Sequence, residues 1–373
     1  MRVVNIFHLG IKELRSLLRD PMMIVLIVYA FSFSIYTAAT AMPDTLHKAP
    51  IAIVDEDRSQ LSTRIVDAFY PPYFTTPALI TQAEMDARMD AGLDTFALDI
   101  PPGFQRDVLA GRSPAIQLNV DATRMSQAFT GNSYIQSIIN SEVSAFLQGY
   151  RSNTTPAVDL ALRARFNPEL NKSWFGGVME LISTITMLSI VLTGAALLRE
   201  REHGTVEHLL VMPVTPFEIM AAKVLAMALV VLSASTCSLF IVVKGALAIP
   251  IEGSIPLFLA GAVLQLFATT SLGIFLGTIA RSMPQFGLLL MLILLPLQIL
   301  SGAVTPRESM PELVKFVMLA APNTHFVKLA QAILYRGAGI SVVWPQFVAL
   351  ALIGTVLFAL SLARFRKTIG TMV

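Results

Sequence analysis

The sequence predicts an α-helical polytopic membrane protein, six transmembrane helices with an extracytoplasmic α/β domain inserted after the first. Three observations carry that expectation: too few charges for a water-facing surface, six apolar runs of spanning length, and one long polar stretch between the first two runs. Only 14% of the 373 residues are Asp, Glu, Lys or Arg and 54% are hydrophobic, with a mean hydropathy of +0.66. Soluble chains carry about a quarter charged residues. The deficit is uneven: residues 43–173 hold a normal polar load, and long apolar runs fill the rest. Lipid and water are therefore both expected as solvents. A net charge of +2, with no basic patch interleaved with aromatics, argues against nucleic acid as a partner. The single cysteine, Cys237, excludes an intramolecular disulfide and leaves a thiolate metal site without ligands. Among the histidines only His203 and His208 approach ligand spacing, and a solvated structural role suits that pair.

A helix rises 1.5 Å per residue, so about 20 apolar residues cross roughly 30 Å of hydrocarbon. Segments 22–42, 176–198, 224–249, 255–280, 286–305 and 344–363 qualify. Residues 1–20 precede them as an amphipathic connector helix. Val3, Ile6, Phe7, Leu9, Leu14, Leu17 and Leu18 line one broad face and Lys12, Arg15 and Arg19 another, the pattern of a helix lying in the membrane interface. Ala39-Thr40-Ala41 has the form of a signal cleavage site, but the long charged leader favours a retained span. Trp174 and Trp344 stand at the mouths of the second and sixth spans, where indole rings favour the headgroup layer. Basic residues set the orientation: Arg2, Lys12, Arg15 and Arg19; Arg199, Arg201 and Lys223; Arg281; and Arg364, Arg366 and Lys367 in the tail 364–373. Six crossings put all four groups on one face, so both termini are expected in the cytoplasm and segments 43–173 and 306–343 on the other side.

Within 43–173 strand-like and helix-like patterns alternate. Strands are expected at 50–55, 95–100, 115–121 and 160–166, and helices at 59–69 (capped by Ser59), 81–91, 103–111 and about 126–149. A domain of this size can bury its own core. The turn Asp55-Glu56-Asp57-Arg58 reads as a solvated loop, and no nucleophile–base pair or metal spacing stands out. Partner docking or gating is the expected work.

The segment 199–223 carries the mechanism. Gly204 can end the second helix and Thr205 can cap a short turn with an apolar stripe of Val206, Leu209, Leu210 and Pro213. Thr215-Pro216-Phe217-Glu218 is a capping box with proline at the first helical position, so a further helix starts there. A rigid, charged, bent element can pass force from a soluble partner to a transmembrane helix; an ordinary interfacial loop would look much the same.

The run Arg199, Glu200, Arg201, Glu202, Gly204, Thr205, Glu207, Leu210 and Pro213 resembles the signature of ABC-2-type permeases, the membrane subunits of ABC exporters of the type V exporter class. That resemblance implies a coupling element docking on an ATPase subunit. Pro306, Pro311, Leu313, Pro322, Lys328, Arg336 and Gly337 resemble the same family's proline-punctuated extracytoplasmic loop of short re-entrant helices, although Lys328 stands where an arginine is usual. The large insert after the first span is similar to the bacterial drug-exporter branch, which implies an inner-membrane exporter of hydrophobic or amphipathic compounds. A periplasmic adaptor is a further partner it suggests.

No Gly-Lys dipeptide occurs in the sequence, so no Walker A loop can cradle phosphates. The chain is expected to be no enzyme and to hold no cofactor, with ATP and Mg on the partner ATPase subunit. Six spans rarely enclose a path alone, which points to a second permease copy or a paralogue. Thr269, Gly273 and Gly277 form a small-residue row that lets helix backbones approach, at a dimer contact or within one subunit. Ser183, Thr186 and Thr193 share a face that lines the path or bonds to its own helix. Two other classes stay open: a proton-driven carrier, which would rest on Glu180, and a non-transporting receptor or scaffold.

Overall fold

A computed structural model describes residues 3–41, 46, 48–121, 125–149, 172–202, 204, 214–305, 307 and 310–370. The chain divides into two compact units, Met1–Met42 with Ala164–Val373, and Pro43–Arg163.

Helix α1 (Val3–Leu18) leads the first unit. Its residues Leu17 and Glu13 are buried, while Val3, Phe7 and Leu18 stand exposed, as a helix lying at an interface requires. Helix α2 (Pro21–Thr40) follows at once, because Asp20 caps it, accepting from the Met23 N–H at 3.2 Å, and Pro21 supplies a helical φ at the first position.

The second unit opens on strand β1 (Ile51–Asp55) and helix α3 (Gln60–Asp67), started by reciprocal Ser59–Ser62 bonds. Strand β2 (Ala78–Leu79), too short to register as a period, is followed by helix α4 (Gln82–Asp90) and strand β3 (Phe96–Ile100). Helix α5 (Phe104–Leu109), strand β4 (Gln117–Val120) and helix α6 (Met125–Leu147) complete it. The sheet order is β2-β1-β3-β4. β1 runs parallel to β2 and β3, with Ile51 opposite Phe96, and β4 runs antiparallel to β3, with Val120 opposite Phe96. Strands covered on both faces read as continuous apolar runs, and Ile51-Ala52-Ile53-Val54 is buried throughout. Gly131 lets α6 approach this sheet: a Cβ there would lie 2.2 Å from Phe96 Cζ. Asp57 sits at the head of α5, accepting from the Gln105 N–H at 3.0 Å. Burial pulls its pKa upward, but the Ser59 hydroxyl and the N–H groups of Gln105, Gly103 and Phe104 outweigh that and hold it below the ordinary carboxylate value. The strand expected at 160–166 lies outside the described residues.

Back in the first unit, helix α7 (Lys172–Glu202) is the pillar. In its most apolar stretch 83% of residues are buried, against 22% for α2. Helix α8 (Pro216–Ala246), helix α9 (Ile255–Ile279) and helix α10 (Met283–Ile299) pack about it. Two short helices, α11 (Glu312–Met318) and α12 (Pro322–Ala330, extended by a π-helical turn Gln331–Tyr335), precede the last long helix, α13 (Ile340–Gly370). Among the described residues five helices, α2, α7, α8, α9 and α13, are long and apolar enough to cross a membrane. The fifth expected span, 286–305, forms instead the 17-residue α10. Ser282 and Pro284 start it three residues early. Pro296 withholds a backbone donor near its end, and the chain turns through Gly302 at φ +97°. Seventeen residues rise roughly 25 Å, the short limit for a crossing.

Candidate functional site

The residues singled out for coupling begin at the end of α7. α7 stops at Glu202 and the chain turns at Gly204, φ +66°, a left-handed conformation that glycine adopts without strain. Thr205, Glu207, Leu210 and Pro213 lie outside the described residues, as do His203 and His208. α8 opens on the expected capping box: the Thr215 N–H donates to Glu218 Oε2 at 2.9 Å and the Glu218 N–H to Thr215 Oγ1 at 3.3 Å.

Four consecutive side chains at the end of α7 reach four different elements. Arg199 donates to Asp20 Oδ2 at 2.6 Å, at the α1–α2 junction. Glu200 pairs with Lys12 of α1 and, at 2.7 Å, with Lys223 of α8. Arg201 Nη1 donates to the Gly277 and Ala280 carbonyls, both at 3.0 Å, where a cation offsets the exposed end of α9. Glu202 Oε1 accepts from the Met283 N–H at 2.9 Å, capping the start of α10.

Behind these lies a buried ionic cluster. Lys223 is 1% exposed and Glu13 5%, and the Lys223 ammonium donates to Glu13 Oε1 at 2.7 Å. Lys12 stands 3.4 Å from Glu13. Lys223 and the two carboxylates are withdrawn from water while Lys12 stays at the exposed rim, and the two ammonium groups and two carboxylates cancel in charge. For Lys12, burial works downward on the pKa, but the Glu200 and Glu13 carboxylates outweigh it and hold the ammonium above its ordinary value. The arrangement is a clamp that ties the end of α7 to α1, α8, α9 and α10.

Further along α7 the polar residues turn inward. Thr186 Oγ1 donates to Asn323 Oδ1 of α12 at 2.8 Å and accepts from Gln265 Nε2 of α9 at 2.9 Å. Ser189 donates to Thr269 Oγ1 at 2.6 Å, and Asn323 Nδ2 donates to the Leu297 carbonyl at 2.9 Å. Thr186, Thr193 and Thr269 are fully buried, and Thr193 bonds to the Ser189 carbonyl of its own helix. Ser183 is half-buried. Gly273 lets α9 touch α7 backbone to backbone, since a Cβ there would lie 2.6 Å from the Ile190 oxygen; at Gly277 it would meet the Gly194 oxygen at 3.2 Å. Glu180 stands 3.4 Å from the Ser34 hydroxyl.

Sequence reasoning missed Glu13, Asp20, Gln265 and Asn323, and read Lys223 only as an orientation mark. A signal for Glu13 was present: Leu9, Glu13 and Leu17 are four residues apart, so the acid falls in an apolar stripe and requires a buried cation.

Residues 21–363 match the family model described as ABC-2 family transporter protein. The chain is 67% identical over 368 residues to the inner membrane transport permease YhhJ of Escherichia coli K12, spanning 99% of this chain and 98% of that one. It is 26% identical over 361 residues to the probable multidrug ABC transporter permease YbhR of the same strain, covering 96% of this chain and 97% of that relative. YbhS of that strain, described in the same words, is 26% identical over 347 residues, 88% of each chain. With a match that takes in the long apolar helices, the Arg199–Glu202 clamp and α12 together, the chain belongs to the ABC-2 transporter family.

Proposed function

We propose that this chain is the membrane-spanning permease subunit of an ATP-driven exporter, moving hydrophobic or amphipathic compounds, drugs among them, out of the cytoplasm or inner leaflet. The observation that carries the reading is the clamp at Arg199–Glu202, which ties one chain reversal to α1, α8, α9 and α10. A separate ABC ATPase subunit binds ATP and Mg and presses on the segment from Arg199 to Lys223, with Gly204, Thr205, Glu207, Leu210 and Pro213 at the contact. Family membership supports that partner, and the lack of any Gly-Lys dipeptide requires hydrolysis elsewhere.

The clamp end faces the cytoplasm with both termini, in the bacterial inner membrane, and α10 completes six crossings. The Pro43–Arg163 unit then stands in the periplasm, where an adaptor protein can reach it, and a second permease copy or paralogue closes the path. The relatives' names, inner membrane transport permease and multidrug ABC transporter permease, support the membrane and the substrate class. Thr186, Thr193, Thr269, Gly273 and Gly277 serve helix packing; half-buried Ser183 is the member of that set placed to meet a solute.

Purification of the full chain in gentle detergent, with mass spectrometry of what stays bound, tests the reading. An ATPase polypeptide with a Walker A loop is expected in the complex, and substrate should stimulate its hydrolysis. Glu202→Lys should abolish that stimulation while the chain still inserts. Transport that survives ATP depletion and collapses with the proton gradient would contradict the reading and favour a carrier built on Glu180.

A further inference from the structure

At the end of α7 remote from the clamp lies a cavity of about 680 Å³ whose walls include Phe175, Gln331 and the cations Arg307, Lys328 and Arg336. A second hollow of about 310 Å³ shares Phe175, Gln331 and Arg336 and adds Trp174, Tyr335, Ile249 and Pro250. The two therefore share one wall, with more cations lining the larger hollow and more aromatic rings the smaller. The aromatic side is well fixed: Tyr335 stacks on Phe175 with ring centroids 5.9 Å apart, and its hydroxyl donates to the Phe175 carbonyl at 3.0 Å. Arg307 is steered by Gly302, where a Cβ would lie 3.3 Å from the arginine Cγ.

Lys328 is engaged within the protein, but Arg307 and Arg336 are two like charges around one hollow, which raise its potential and favour an anion there. At the other end of the helix Lys12, Arg199, Arg201 and Lys223 each have a carboxylate or carbonyl partner; here neither Arg307 nor Arg336 makes an ion pair among the described residues. Glu308, the next acid in the sequence, lies outside those residues. Guanidinium groups meet phosphate or carboxylate with two parallel hydrogen bonds, and an adjoining aromatic wall takes hydrocarbon. Both volumes fall within the range of small-molecule sites.

We infer that this double cavity binds an amphipathic anion, a phosphate or carboxylate headgroup between Arg307 and Arg336, with its hydrocarbon against Trp174, Phe175 and Tyr335. The site goes beyond the exporter reading and stands whether or not ATP drives the chain.

The chain has two tryptophans, so Trp344→Phe leaves Trp174 as a lone fluorophore in the site. The full chain in phosphatidylcholine nanodiscs is titrated with phosphatidylglycerol or phosphatidylcholine, each brominated on the acyl chain to quench indole. The anionic lipid is expected to quench Trp174 at the lower mole fraction. Arg307→Gln and Arg336→Gln should each cut that preference about fivefold, and Arg307→Lys and Arg336→Lys should keep most of it. Equal quenching by both lipids in the unmutated background overturns the site whatever the variants do. A preference that survives the double glutamine variant overturns the assignment to these arginines. Inorganic phosphate should fail to displace the brominated lipid at matched concentration; full displacement would mean a free-anion site and overturn the amphipathic part.

Discussion

At one end of α7, Arg199 and Arg201 of that helix, with Lys12 and Lys223 of its neighbours, are each held by a carboxylate or a helix-end carbonyl. At the other, Arg307 and Arg336 line an open cavity beside Trp174 and Tyr335. The 26 residues from Trp174 to Glu200 separate the two by roughly 39 Å. Cations at the first end hold elements together, so removing one should cost stability. Arg307 and Arg336 at the second make no ion pair among the described residues, so removing one should cost a ligand and leave the fold intact. Local chemistry decides the difference: Lys223 is 1% exposed and can stay charged only if paired, whereas Arg336 is exposed and pays no desolvation.

The largest effect that would break this contrast is at Lys223. Lys223→Met leaves Glu13 and Glu200 with Lys12 alone, and unfolding of the full chain in detergent should show a loss of about 3–5 kcal/mol. Adding Glu200→Gln restores neutrality and should recover a large part; a single variant as stable as the parent would remove the cluster from the account. Next comes Thr186→Val, which breaks bonds to both Asn323 and Gln265. Hydrogen bonds between membrane helices average about 0.6 kcal/mol and reach about 1.7, so the midpoint of unfolding should fall modestly.

Smaller still is the pH response of Lys12. Its folded value is raised above the ordinary 10.5, so its contribution is complete below pH 10.5 and is lost as pH climbs through the higher folded value. The parent should therefore lose more stability than Lys12→Gln above pH 10.5, and the two should run parallel below it. Least of all, Arg336→Gln should change stability by no more than about 0.5 kcal/mol. A loss comparable to that of Lys223→Met would erase the distinction between the ends.

Elements with strong local chemistry were legible from residues alone. The Thr215–Glu218 box, the Ser59 cap and the turn at Gly204 each draw on groups within a few positions, and the apolar runs at α2, α7, α8, α9 and α13 follow from length. What escaped depends on distant partners. β2 is two residues that pair only because β1 is there. The clamp joins Lys12 to Glu200, 188 positions away, and Lys223 to Glu13, 210 away, so no window of sequence holds both members. α10 ended early because Pro296 and Gly302 outweigh an apolar run that continues past them. The coupling motif itself showed its acids and bases plainly, but not that Arg199 to Glu202 bond to four elements.

The exporter reading rests on force reaching that clamp from a nucleotide-hydrolysing neighbour. A photo-crosslinking amino acid at position 207, activated in intact bacteria, tests it most directly by mass spectrometry of the adduct. The account predicts a cytosolic polypeptide bearing a Walker A loop, joined in a yield that changes when ATP is depleted. Adducts confined to lipid or to a periplasmic protein would contradict it.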